Sequence, residues 1–297
     1  MYFVIKLRHL IIIAAIISTI VSAALWGNKA IGVIAQCFTE SESASSKMQD
    51  YPLPIIMYHN FLKSEASCGK YTITPDEFEK DIIYLKDKGY SFVNCEDVIS
   101  YVYQNKPLPK KSIMLTIDDG YYNNYLYIFP IIKRHSAKVV ISPIGIEMDK
   151  YTESLDLNPA YANMCWDNIN EMRNSGLVEI QNHSYNLHKI TKDVTGCSKR
   201  DNENNAQYTD RIYKDLKLAN EVIHKNTGYT PVCMTFPFGM TSKEVNSLIK
   251  SMGFKMSLSC TEGVSYINQN PESLYMLKRF NRPHNISRDV FFAGVIN

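Results

Sequence analysis

The sequence has no Cys-x-x-Cys pair, no long run of basic residues and no internal repeat. Seven cysteines at wide spacings (Cys37, Cys68, Cys95, Cys165, Cys197, Cys233 and Cys260) do not describe a cysteine zinc site. Their odd number leaves at least one thiol unpaired within the monomer, and most are expected to be buried as small apolar side chains. Cys165 with Cys197 is the pair to examine first, because both fall in segments that read as loops. A formal net charge of +2 without a basic stripe argues against a dedicated nucleic-acid binder.

What is present bounds the answer. With 297 residues, 45% hydrophobic and 21% charged, the chain can bury a full core and needs no more than one large domain after its leader. Twenty tyrosines and twelve phenylalanines would suit sugar-stacking surfaces, but aromatics more often fill cores, so the count decides nothing.

Lys6 and Arg8 precede an apolar stretch from Leu10 to Trp26, long enough for a signal-peptide core and just long enough to span a bilayer. Val21-Ser22-Ala23 offers a cleavage site, whereas the length of the stretch favours an uncleaved anchor; both readings stand. Either way the basic end stays in the cytoplasm and the remainder is expected outside it, membrane-anchored or secreted. Ile34-Ala35-Gln36-Cys37 lacks the small residue that a lipoprotein signal places before its cysteine. The expected organisation is a leader or anchor over 1–27, a linker over 28–50 that includes a serine-rich tether, and one folded domain over 51–297.

From Tyr51 onward strand and helix patterns alternate. Strands are expected over Pro54–Tyr58, Tyr90–Val93, Ser112–Ile117, Lys138–Ser142, Leu177–Gln181, Val232–Phe236, Lys255–Ser259 and Met276–Phe280. The helix after Thr74 opens on a capping box, with Pro75 in the first turn and Glu77 reaching back, and Gly89 ends it. Helices are also expected over Glu96–Tyr103, Tyr125–His135 with Pro130 kinking or dividing it, Asn168–Asn174, Thr209–Asn226 and Ser287–Phe292. A second capping box over Thr241–Glu244 opens a helix running to Met252, and Asp149–Asn163 reads as an irregular loop. Six or more βα units without repeats point to an α/β fold, either a parallel barrel or a doubly wound sheet.

The most informative stretch is Lys111 to Asn124, KSIMLTIDDGYYNN. A buried, β-branched strand ends at two adjacent carboxylates and a glycine, and where Gly120 breaks the extended geometry Asp118 and Asp119 can turn toward one cavity. Like charges that close stay ionised only beside a cation or strong donors; the plain alternative is an Asp-Gly turn. His59 ends the first strand, and His183 and His188 follow the strand from Leu177. Carboxyl ends of strands are where both barrels and open α/β sheets build their sites. A spacing of five puts the two histidines about 140° apart on a helix, so a shared ligand needs a turn. Given one, two imidazoles and an aspartate make a metal site with open positions; unrelated surface histidines are the alternative.

Thr116-Ile117-Asp118-Asp119-Gly120, His183-Ser184 with His188, and Thr235-Phe236-Pro237-Phe238-Gly239 resemble, in order and spacing, the first three motifs of the polysaccharide deacetylases, also called the NodB-homology or carbohydrate esterase family 4 domain. The resemblance runs from roughly Leu53 through Phe280 and includes Met57-Tyr58-His59, Lys88-Gly89-Tyr90 and Leu277-Lys278-Arg279. It is greatest to the branch acting on poly-N-acetylglucosamine in biofilms. The resemblance implies a distorted (β/α) barrel and a monomer that removes acetyl groups from an N-acetylated polysaccharide. Asp118 would be the general base. Asp119, His183 and His188 would hold a divalent metal, zinc before cobalt, nickel or iron. The backbone N–H of Phe238 would stabilise the oxyanion, and His59 would be the acid.

The sequence also departs from that pattern. Ile117 replaces a motif phenylalanine, and Thr235 stands where many members carry an arginine that orients the catalytic aspartate. The late leucine-histidine motif is unclear, which leaves His284 as an alternative acid. Tyr121 and Tyr122 border the carboxylates, Trp166 either stacks on a sugar or pins a loop, His135 and His224 read as solvated helix residues, and His9 belongs to the leader. O-acetyl ester hydrolysis by the same groups, or a catalytically weak glycan-binding surface module, are the competing functions.

Overall fold

The computed structural model describes residues 50–296. The leader and nearly all of the linker expected from the sequence lie outside the described residues. Among the described residues no helix is long and apolar enough to cross a membrane.

In chain order the strands are β1 (Tyr51–Leu53), β2 (Ile55–Tyr58), β3 (Asn60–Phe61), β4 (Thr72–Ile73), β5 (Ser91–Phe92), β6 (Ser112–Asp119), β7 (Val139–Pro143), β8 (Val178–Ile180), β9 (Cys233–Thr235), β10 (Met256–Leu258), β11 (Ser265–Ile267) and β12 (Phe280–Asn281). The α-helices are α1 (Pro75–Asp87), α2 (Cys95–Gln104), α3 (Phe129–His135), α4 (Gly145–Ser154), α5 (Trp166–Asn174), α6 (Asn205–Thr227), α7 (Val245–Ser251) and α8 (Arg288–Ala293).

The choice between barrel and open sheet is decided by the pairings. Parallel pairs run β12-β2-β6-β7-β8. Beyond β8, Asn182 bridges Met234 of β9; β9 pairs with β10, and Leu258 of β10 bridges Leu277, just before β12. The ring therefore closes as a distorted barrel, sealed on either side of the β9/β10 pair by single rungs.

Strand β6 is buried along its whole length, as expected of a parallel strand covered on both faces. Its alternate residues sort cleanly. Ile113, Leu115 and Ile117 pack with Phe78, Ile82 and Leu85 of α1 and with Ile131 and Ile132 of α3, while Met114 packs with Ile55, Val140, Met256 and Leu258 and with Val98 and Val102 of α2. By the two-residue period Thr116 and Asp118 share the face of Met114.

Local chemistry explains most element ends. The α1 capping box forms as read: Thr74 Oγ1 accepts the Glu77 N–H at 3.1 Å and Glu77 Oε2 accepts the Thr74 N–H at 2.8 Å. Pro130 falls in the first turn of α3, directly after a π-helical turn over Asn124–Ile128, so the expected single helix is divided there.

Four expectations are corrected. The segment read as loop from Asp149 begins inside α4, whose buried Met148 and Tyr151 give only a short apolar stripe; Asp149 also accepts hydrogen bonds from Trp166 Nε1 at 2.7 Å and the Tyr185 hydroxyl at 3.1 Å. The second capping box does not form: α7 starts only at Val245, so Glu244, expected inside the first turn, is itself the N-cap residue and no side chain caps the helix. The last strand is β12 rather than Met276–Phe280, because Met276 takes φ +59° and breaks the extended run. Cys165 and Cys197 are not paired: Cys165 Sγ lies 3.2 Å from Asn168 Oδ1, and Cys197 is fully buried, packed with Tyr208 and Phe236. All six described cysteines are free thiols and four are buried.

One buried ion pair holds the outer layer to the ring. Arg282, just after β12, donates through Nε to Asp81 of α1 at 2.9 Å, and the Tyr58 hydroxyl of β2 donates to the same carboxylate at 3.1 Å. Removing one partner of a buried pair strands the other charge. Arg282→Met is expected to cost about 3–5 kcal/mol of stability, measured as a lowered midpoint of urea unfolding.

Candidate active site

Six residues singled out from the sequence line one cavity of about 410 Å³: His59, Asp118, Asp119, His183, His188 and Phe238. A larger open groove of about 900 Å³ runs beside α6 past Tyr185 and Lys189, but none of the six lines it.

Asp118 reaches the cavity by strand alternation alone, whereas Asp119 does so because its own backbone leaves the β region. Asp119 has φ +70° and Gly120 follows at +77°. The corner thus starts one residue earlier than the glycine suggested, at a residue type that tolerates left-handed geometry. Gly120 is still required, since a Cβ there would lie 2.9 Å from Cβ of Pro143.

The turn demanded by the His183/His188 spacing is built by polar side chains. Asn182 Oδ1 accepts the Ser184 N–H at 2.7 Å and Ser184 takes φ +68°. The two oxygens of Asp215 on α6 accept the N–H groups of Tyr185 and Asn186 at 2.8 and 2.9 Å. His183 Nδ1 lies 2.7 Å from the Thr235 carbonyl oxygen, which can only accept, so Nδ1 carries a proton and, in the neutral ring, Nε2 is the nitrogen with the lone pair.

That lone pair faces Asp119. His183 Nε2 and His188 Nε2 stand 3.4 and 3.2 Å from Asp119 Oδ1. One donor atom from each of the three residues lies within 4.8 Å of the other two. Asp119 Oδ1 is buried and has no hydrogen-bond partner. An orphaned carboxylate oxygen, a tautomer fixed from behind by a carbonyl and an N, N, O donor set together fit a divalent transition metal. Burial opposes the charge on Asp119, but His183, His59 and His188 outweigh it and hold its pKa at about 2.

Asp118 has a different partner. Arg279, buried at 1% exposure, grips it through Nη1–Oδ1 and Nη2–Oδ2 contacts of 2.8 Å each. The guanidinium is itself fixed by Nε donating to Ser259 O at 2.8 Å and Nη1 to Thr116 Oγ1 at 3.1 Å. Burial pushes the Asp118 pKa up, but Arg279 and His183 outweigh it and the carboxyl stays below its ordinary value.

Sequence reading quoted Arg279 but gave it no role. Thr235, standing where an arginine was expected, was the available signal: a buried carboxylate deprived of one cation must find another. Thr235 itself works through its backbone, holding His183, while its hydroxyl lies 2.8 Å from Ser142 Oγ.

His59 presents an unpartnered Nδ1, and burial lowers its pKa against the pull of Asp118 and Asp119. Phe238 sits at φ +57° in a single 3₁₀ turn, Pro237–Gly239, with its ring centroid 4.2 Å from that of His188.

Of the remaining candidates, Tyr121 lines the cavity while Tyr122 and Trp166 do not. Trp166 is buried and bonded to Asp149, so it pins the loop. His284 stands outside the cavity with Nδ1 2.8 Å from Glu77 Oε2, spliced into the α1 capping box. His224 is exposed as expected, whereas His135 is half-buried against Glu79 at 2.7 Å.

Comparison with known proteins bears on this geometry. A sequence profile described as polysaccharide deacetylase matches residues 105–257, just over half of the chain. The chain belongs to the polysaccharide deacetylase family. The deacetylase match spans β6 through the start of β10, and so contains Asp118, Asp119, His183, His188 and Phe238.

Among curated deacetylases, the poly-beta-1,6-N-acetyl-D-glucosamine N-deacetylase of Escherichia coli K12 is 24% identical over 257 residues, covering 78% of this chain but only 38% of its own length. The enzyme of the same name from Staphylococcus aureus MSSA476 is 23% identical over 214 residues, 71% of this chain and 68% of the relative. Among solved structures, a de-N-acetylase from Aggregatibacter actinomycetemcomitans superposes with a TM-score of 0.70 at 22% identity, over 82% of this chain and 99% of that one. That likeness places the α/β fold with the deacetylases.

The donor set makes a testable claim about metal. Titration of metal-free protein with zinc is expected to show one tight site by calorimetry. Affinity falls by more than about 100-fold, the upper range for loss of a mere outer partner, in His183→Ala and Asp119→Ala. Asp118→Asn keeps the site.

Proposed function

We propose that this protein is a metal-dependent N-deacetylase of an extracytoplasmic, N-acetylglucosamine-containing glycan. The observation that carries the reading is the meeting of Asp119, His183 and His188 beside an Asp118 held ionised by Arg279, in one cavity. Family membership and the names of the relatives support it. The catalytically weak alternative rested on Thr235 and on the unclear last motif, and Arg279 supplies the cation that Thr235 lacks.

Asp119, His183 and His188 would hold the ion, zinc being the best match to two imidazoles and a carboxylate. When bound, it supplies a Lewis acid that polarises the acetyl carbonyl and lowers the pKa of water.

The chain's own residues do the rest. Asp118 accepts the proton of the attacking water; the Arg279 guanidinium keeps the carboxylate charged and fixes its oxygens. The backbone N–H of Phe238, on a loop set by positive φ values, donates to the oxyanion of the tetrahedral intermediate. His59 acts in its imidazolium form, which the neighbouring Asp118 and Asp119 charges favour against burial; it gives its proton to the departing amine nitrogen and is recharged by the proton that Asp118 took from water. Acetate and a free amine are released. Ester-linked acetyl groups would react by the same steps.

The leader over 1–27 and the linker over 28–50 would place this domain outside the cytoplasm, anchored to the membrane or released from it. We expect the domain to act as a monomer.

Acetate release from β-1,6-linked N-acetylglucosamine oligomers tests the reading. Activity is expected to vanish with a chelator and return with zinc. Asp118→Asn should lower kcat by about 10²–10⁴-fold with metal retained. Arg279→Gln removes the charge that depresses the Asp118 pKa, so the acid limb of its kcat/KM profile moves to higher pH. An acid limb unmoved in Arg279→Gln, or full turnover in Asp118→Asn, would remove Asp118 from the role of base.

A further inference from the structure

The mechanism above uses the cavity floor and leaves one wall without a task. Tyr71 lines the same cavity and is 49% exposed, an unusual state for a large aromatic side chain beside so many buried groups. Its ring packs on that of His59, centroids 5.0 Å apart with planes at 65°. Phe238, 36% exposed, stands in the corresponding way against His188. Two exposed rings thus rise beside two histidines of one polar cavity.

The backbone beneath Tyr71 is pinned at both peptides. Its carbonyl accepts the Asn60 N–H at 3.1 Å, and the preceding carbonyl, of Lys70, accepts from Asn281 Nδ2 at 2.7 Å. Asn60 follows His59, and its partner Asn123 also receives the Phe61 N–H at 3.1 Å, so hydrogen bonds tie the backbone at Tyr71 to the strand that follows the acid candidate. The exposed Lys70 ammonium lies 5.1 Å from the ring centroid. Cores bury aromatics and flexible loops let them turn away; here neither happens. An exposed ring on the wall of a cavity otherwise lined mostly by polar groups is what a ligand with one apolar face and polar edges requires.

We propose that Tyr71 is the sugar-stacking wall of this cavity, taking the C–H face of the pyranose whose acetyl group reaches Asp118, and so selects a glycan over a small acetyl compound. This rests on the reading of the site as a glycan deacetylase. Tyr71 is on this view a binding residue, since it touches the ring of the sugar and not the reacting carbonyl.

Binding is read separately from turnover. In the zinc-loaded Asp118→Asn protein, which binds without reacting, adding Tyr71→Ala is expected to weaken calorimetric affinity for β-1,6-linked tetra-N-acetylglucosamine about tenfold, the worth of one aromatic stacking contact. Adding Tyr71→Phe instead retains the affinity, because the ring and not the hydroxyl makes the contact. In the otherwise wild-type enzyme Tyr71→Ala raises KM by a similar factor with kcat within about twofold. Equal affinities for the Tyr71→Ala and parent proteins would overturn the proposal. So would a loss confined to kcat, which would make Tyr71 a positioning residue for His59. If the wild-type enzyme releases acetate from neither the tetramer nor an aryl acetate, it is the reading of the site as a deacetylase that falls. Turnover of the tetramer with unchanged affinity in the Tyr71→Ala pair sinks the stacking proposal alone.

Discussion

The grip of Arg279 on Asp118 is the constraint on which the site depends. A carboxylate at the end of a fully buried strand would take up a proton if it stood alone, and a protonated Asp118 cannot accept another. A bidentate guanidinium prevents this and also fixes where the two oxygens point. The same cation bonds Thr116 on β6 and the Ser259 carbonyl just past β10, so it ties together strands that do not pair directly. Asp118 is therefore charged, oriented and structurally committed by one side chain.

Around that pair the barrel sorts functions by strand parity and by strand ends. Met114, Thr116 and Asp118 share one face of β6, so packing below grades into hydrogen bonding and then into chemistry above within five residues. Asp119 belongs to the other face by count and joins the site only through its positive φ. The two carboxylates are adjacent in sequence, yet they have separate partners: Asp119 faces two imidazoles and Asp118 a guanidinium. This separation lets two neighbouring acids keep different tasks.

Much of this could be read from the residues in order, and the places where it could not have physical causes. The α1 capping box, the buried β6 run and the need for a turn between His183 and His188 are local statements, and the structure bears them out. The start of α4 was lost because a stripe of two buried side chains leaves almost no periodic signal. Thr241–Glu244 has the letters of a capping box, but the helix starts only at Val245, and Ser242 within that stretch receives the Lys199 N–H, a partner 43 residues distant in the chain. Met276 gave no sign of its φ. Arg279 is the instructive case: its meaning lies in a contact with a residue 161 positions away, and only the missing arginine at 235 hinted that such a contact must exist.

The ring has two seams, at Asn182/Met234 and at Leu258/Leu277, where a single rung replaces a ladder. His183 stands one residue past the first seam and takes its tautomer from Thr235 on the opposite bank. The bond that sets the His183 tautomer therefore also spans this seam, so closing the cylinder and orienting that imidazole are one event. Loosening that joint would free the imidazole to turn away from Asp119.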